Sequence, residues 1–180
     1  MSSPRMRTTT GVLCLMFLLT ANLAAQRPQT REGFWFKGGL AAASLGCNDC
    51  DERVSGTGVV IALGGTLSPT VQLGATVNNW YKSEGGATLN VGILAANIRL
   101  YPSATGGFYF NGGLGIASID AEISGLGSGR ETGTGLLVGL GYDIRVGRML
   151  SLTPFANLIA TRYDDGDLNF GQLGLAITVH

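Results

Sequence analysis

The sequence runs to 180 residues, of which 13% are charged and 45% apolar, with a formal net charge of zero. A soluble domain carries about 25% charged residues, so much of this surface must meet something other than water, and balanced charge gives nucleic acid little to hold. No stretch reaches the roughly 18 consecutive apolar residues of a spanning helix, which leaves a deeply buried β-protein or a membrane barrel.

Residues 1–25 have the three parts of an export signal. Arg5 and Arg7 form a basic start, Gly11 to Leu19 an apolar centre, and Ala24-Ala25 a small-residue cleavage site before Gln26. The apolar centre is too short to span a membrane. Cys14 lacks the small-residue setting of a lipoprotein signal. Export through this signal leaves a short segment, 26–32, and a domain, 33–180, in an oxidising compartment.

From residue 33 onward the pattern is that of β-strands, with no helical period. Eight strands are expected, at 33–44, 55–67, 71–82, 87–101, 107–121, 131–145, 150–162 and 167–179. Each is at least as long as the about 9–11 residues of a tilted membrane strand. In the first, Phe34, Phe36, Leu40 and Ala42 oppose Trp35, Lys37, Gly39 and Ala41. The connection after it holds Cys47-Asn48-Asp49-Cys50. Between two strands this spacing suits a local disulfide or two spare thiols better than a redox motif, which opens a helix. Zinc would need two more ligands there.

In the third strand Val71, Leu73, Ala75 and Val77 alternate with Gln72, Gly74, Thr76 and Asn78. The fourth changes parity: Leu89, Val91 and Ile93 share one side, and Leu94, Ala96, Ile98 and Leu100 the other. A β-bulge near Ile93-Leu94 is expected to restore the register. The sixth is the clearest. Thr132, Thr134, Leu136, Val138, Leu140, Tyr142 and Ile144 alternate with Gly133, Gly135, Leu137, Gly139, Gly141, Asp143 and Arg145. The seventh contains Pro154, which removes a ladder bond and is expected at a bulge. In the last, Leu173, Leu175, Ile177 and Val179 alternate with Gln172, Gly174, Ala176 and Thr178.

The connections at 68–70, 102–106 and 146–149 are tight turns. Those around 45–54, 83–86, 122–130 and 163–166 are mostly longer and richer in Gly, Asp, Glu and Ser. This alternation matches the short periplasmic turns and long outer loops of outer-membrane barrels. With an even number of strands, both ends of the domain fall on the short-turn side. A water-facing wall would carry Lys and Glu, but the non-apolar parity is Gly, Ala, Thr and Asn. The apolar parity is therefore expected to face lipid, and the glycine-rich parity the lumen. Lys37, Arg99, Asp143 and Arg145 fall on the lumen side as a polar cluster, with Asp143 and Arg145 a candidate ion pair. Phe34, Phe36, Trp80, Tyr81, Tyr101, Phe108, Tyr142, Tyr163 and Phe170 lie near strand ends, where interfacial girdles form.

Chemistry is sparse. Gly133-Thr134-Gly135 lacks the third glycine and the helix of a nucleotide fingerprint, and there is no GxSxG. His180 is the only histidine and lies at the end of the sequence, away from any Ser–His hydrolase arrangement. The acidic groups Asp49, Asp51, Glu52 and Asp164, Asp165, Asp167 lack calcium-loop spacing and are expected to be solvated. No catalytic residue, metal or cofactor is expected, and no enzyme activity.

Signal, glycine-rich strands such as Gly112-Gly113-Leu114-Gly115 and Gly139-Leu140-Gly141-Tyr142, and a final amphipathic strand together resemble the small outer-membrane β-barrel proteins. That family includes the eight-stranded transmembrane domain of OmpA and its opacity-protein relatives. The resemblance covers about 31–180. It implies an all-β, eight-stranded antiparallel up-and-down barrel in the bacterial outer membrane, with membrane lipid and the barrel-assembly machinery as partners. Members commonly end in an aromatic residue that the machinery reads; here His180 stands in that place. A monomer with a structural or surface-interaction role is expected. The alternatives are a narrow channel or carrier for small solutes, and a soluble barrel holding an apolar ligand.

Overall fold

Alternation of large apolar with small or polar residues makes one face of each strand seek an apolar phase and leaves the other thin enough to curve. The strands so formed are β1 (Phe34–Cys47), β2 (Val54–Ser68), β3 (Val71–Glu84), β4 (Ala87–Leu100), β5 (Phe108–Ile123), β6 (Gly127–Tyr142), β7 (Ile144–Arg145), β8 (Leu150–Tyr163) and β9 (Gly166–Val179). They come from a computed structural model that describes residues 31–47, 52–123, 127–164 and 166–180. The export segment, Asp49, Cys50, Asp51 and Asp165 lie outside the described residues.

Strands that follow one another along the chain pair antiparallel, except β6 and β7, and β1 pairs with β9, from Phe36↔Val179 to Cys47↔Leu168. β6 and β7 continue one line in a shared register against β8, from Thr134↔Arg162 through Gly141↔Phe155 to Ile144↔Leu152. The sheet is thus a closed barrel of eight staves, the sixth interrupted at Asp143. The eight expected strands are all present, with ends shifted by up to four residues.

The interruption explains Pro154. Its ladder to β9 runs through Leu175 without a shift. The ladder to β6 is missing at the rungs opposite Thr153 and Pro154, where proline has no N–H to give. No bulge is needed. Nor is one found in β4, where Asn78↔Ile93 and Val77↔Leu94 are consecutive rungs. Ile93 is 1% exposed and Leu94 56%. Leu89, Val91 and Ile93 point into the barrel because the lumen itself turns apolar at that level. Among the described rungs a register shift occurs between Thr66 and Ser68, beside a tight turn.

The large apolar side chains at mid-strand, among them Leu40, Leu63, Leu73, Leu94, Leu114, Val138, Leu158 and Leu173, stand exposed on the outer wall. Above them the outer wall becomes polar, with Thr57, Ser83, Asn90, Asp120, Arg130 and Arg162. A continuous apolar belt of this kind is a lipid-facing surface. It argues against the soluble barrel with an apolar lining. The aromatic expectation needs correction. Phe34, Phe36, Tyr81 and Phe108 face outward, but Trp80, Tyr101, Tyr163 and Phe170 are buried in the lumen. They share the parity of the lumen glycines, of which Gly56 seats Trp80 and Gly133 seats Tyr163.

The polar connections are shorter than expected, because pairing continues above the belt. Glu84↔Ala87 closes β3–β4 around Gly85-Gly86, with φ of 60° and 83°. Two positive φ values are what a two-residue type I′ hairpin requires, and glycine adopts them without strain. β5 and β6 stay paired out to Ile123↔Gly127.

Candidate functional site in the barrel lumen

An eight-stranded barrel has an interior just wide enough for side chains to fill, and this one is filled in layers. Arg31, ahead of β1, closes the short-turn end. Its Nη1 donates to the carbonyls of Pro69 and Ala104, each at 3.2 Å, and its Nη2 to that of Gly106. Its guanidinium lies 3.5 Å from the centre of the Tyr101 ring. One side chain so ties two tight turns together. Sequence reading missed it, because 26–32 carries no alternation to mark Arg31 as inward. Arg31→Ala is expected to lower barrel stability by about 1–3 kcal/mol, the range for charged hydrogen bonds left unmade. A lower urea midpoint for loss of the folded gel band checks this, and an unchanged midpoint refutes it.

Above Arg31, Asp143 collects donors. Thr153 Oγ1 donates to Oδ1 at 2.7 Å, and Tyr101 Oη to Oδ2 at 3.0 Å. His180 Nε2 lies 3.3 Å from the same Oδ2, an electrostatic contact whose angle falls short of a hydrogen bond. The other ring nitrogen faces Gln72 Nε2 at 3.3 Å, and that amide also donates to Thr66 Oγ1 at 3.1 Å. The Asp143 and His180 side chains are sealed from solvent, 0% and 1% exposed. His180, set aside in the sequence, is therefore part of the lumen network. The signal was available: Thr178 is lumen-facing, and His180 shares its parity.

Lys37 and Arg99 form the next layer. Lys37 Nζ donates to Tyr109 Oη at 3.0 Å and sits 4.0 Å from the Phe155 ring centre. The Arg99 guanidinium lies 3.8 Å over the Trp35 ring and 5.2 Å from Tyr109. Aromatic faces hold these cations where water cannot. Room for the rings comes from glycine. Trp35 lies against Gly74, Trp80 against Gly56, Ile93 against Gly135 and Tyr109 against Gly141; a Cβ at any of the four would stand no more than 2.7 Å from the opposing side chain. Lumen glycine thus provides sockets as well as curvature.

The expected cluster of Lys37, Arg99 and Asp143 is therefore brought together, all three buried in the short-turn half. Arg145, two residues beyond Asp143, is half-exposed at the strand end, where Nη1 donates to the Arg148 carbonyl. A layer of amides follows. Asn157 Nδ2 donates to Asn78 Oδ1 at 3.0 Å, and Asn97 Nδ2 to Asn111 Oδ1 at 2.9 Å. The outer half of the lumen is apolar: Leu45, Trp80, Val91, Ile93, Leu137, Ile159 and Phe170 pack as one cluster.

At the outer rim, Lys82–Glu84, Arg130–Asp120 and Arg162–Asp167 pair at 2.8, 3.4 and 3.2 Å. They are exposed, and such pairs contribute about 1 kcal/mol or less. Cys47 ends β1 and is disulfide-bonded. Among the described residues no three His, Cys, Asp or Glu side chains converge on a point that could hold a metal.

No family model matches the chain, and neither does any curated protein. Solved structures do. Neisserial surface protein A, NspA, is 14% identical with a TM-score of 0.62, over 84% of this chain and 99% of that one. Ail, the attachment invasion locus protein of Yersinia pestis, is 13% identical with the same TM-score, over 82% of this chain and 99% of that one. The fold is that of these small outer-membrane barrels.

Proposed function

We propose that this chain is an exported outer-membrane barrel that holds its polar hairpins at the cell surface for contact with other molecules, and does not conduct solutes. The observation that carries this reading is the filled lumen: Arg31 at one end, charged, aromatic and amide layers above it, and an apolar plug toward the rim. The apolar outer belt supports the membrane location, and residues 1–25 support export. Membrane lipid and the assembly machinery are its partners in this reading, and the barrel acts as a monomer.

Ail has been solved with the heparin analogue sucrose octasulfate. That ligand does not carry over. At the rim of this barrel Glu52, Glu84, Asp120, Glu122, Glu131, Asp164 and Asp167 outnumber Arg53, Lys82, Arg130 and Arg162. A polysulfate spread across several of these groups would meet net repulsion there.

Two measurements test the reading. The purified chain from outer membranes should shift on gels after boiling, as a folded barrel does. In planar bilayers it should add no conductance at either polarity. Stable single-channel steps would overturn the sealed-lumen reading in favour of a narrow channel.

A further inference from the structure

The outer wall is not uniform. Across β6, β8, β9 and β1 it carries a groove of about 1060 Å³, with Ala42, Ala156, Ala160 and Gly171 at its base and Leu158 and Leu173 standing beside it. A second hollow of about 890 Å³ shares Ala42 and Leu173 with the first and continues down β1 to Gly38. From Ser44 to Gly38 the trough follows six residues, about 20 Å at strand rise. On a strand tilted about 45° that is a descent of about 14 Å, one leaflet's share of a roughly 30 Å hydrocarbon core.

At the top of the trough stands Arg53. Nε donates to Ser44 Oγ at 3.0 Å, Nη1 to Asn169 Oδ1 at 2.6 Å and Nη2 to the Ser44 carbonyl at 2.7 Å. The side chain is exposed yet fixed across the junction of β1 and β9. Lys82, Arg130 and Arg162 at the rim each face a carboxylate. Among the described residues Arg53 faces none. A fixed cation at headgroup height that faces no carboxylate among the described residues, directly over an apolar trough, is complementary to an anionic phosphate carrying an acyl chain.

The geometry points to a binding site for one phosphate-bearing membrane lipid, its acyl chain lying in the β8–β9–β1 trough and its phosphate on Arg53. This rests on the outer-membrane reading above. The full chain, reconstituted in phosphatidylcholine nanodiscs and released for native mass spectrometry, is offered dipalmitoyl phosphatidic acid or dipalmitoylglycerol. The two probes share chains and differ in the phosphate. The wild type should retain one phosphatidic acid, about fivefold over the diacylglycerol, as one cation near a membrane surface provides. Arg53→Gln should remove that preference and keep chain binding. Gly171→Leu should lose both, since a side chain there fits in ordinary contact with Leu158 Cδ2, at 3.5 Å from Cβ, and fills the trough. Equal retention of both probes by the wild type, variants that behave as wild type, or a second protein copy in place of lipid would overturn the site. Failure to enter nanodiscs with a heat-shifting band would overturn the membrane reading as well; normal insertion without lipid preference overturns the site alone.

Discussion

Replacing Asp143 with Ala is expected to destabilise the barrel by about 3–5 kcal/mol, the cost of removing one partner from a buried charged network. Asp143 is the acidic member of a lumen whose other buried charges are Arg31, Lys37 and Arg99. Its carboxylate accepts from Thr153 and Tyr101 and faces His180. Truncation strands these donors together with the three cations, in a space already closed to water by the residues around it. Asp143→Asn should cost less, because an amide oxygen can still accept from Thr153 while the charge is lost. Adding Lys37→Met to Asp143→Ala should recover part of the loss, since it removes one uncompensated cation and leaves an apolar chain against Phe155. Urea unfolding in detergent, followed by the heat-shifting band, measures all three. A midpoint for Asp143→Ala equal to that of the wild type would show that the network contributes little.

The eight strands were legible because each apolar residue of the belt sits beside a small or polar lumen residue, as β6 shows from Gly139 to Tyr142. The lumen cluster was legible for the same reason: Lys37, Arg99 and Asp143 interrupt the small-residue parity. What could not be read has one physical source. Parity says which residues share a face, but not what lies across the barrel from them. Ile93 is apolar on the lumen side because Leu137 and Ile159 share its cluster, so β4 looked broken where it is straight. Trp80 looked like a girdle residue because the glycine that seats its ring, Gly56, belongs to another strand, and Phe170 because the apolar cluster it packs in is drawn from other strands. Beyond the belt, both faces of β5 and β6 meet water, and Glu122 and Arg130 then look like loop although they are paired. Arg31 lies outside any alternation, and the three carbonyls that hold it come from turns distant in sequence.

The orientation of the wall has the most at stake, and one side chain tests it. Leu114 is 68% exposed on β5, paired with Ala96 and Leu136 in the apolar belt. If that wall meets hydrocarbon, Leu114→Arg should cost about 2–4 kcal/mol, falling toward about 0–1 near the interface. Ser118, two outward positions further along β5, is the paired control, and Ser118→Arg should stay within about 1 kcal/mol. If the wall met water, the ordering would vanish. A surface Leu→Arg usually changes stability by only about 0.5 kcal/mol in either direction, and removing an exposed leucine would help solubility. Folding equilibria in lipid vesicles distinguish the two. A depth-dependent penalty along Leu114, Ile116 and Ser118 supports hydrocarbon contact, and a flat profile removes the belt as an argument for the membrane.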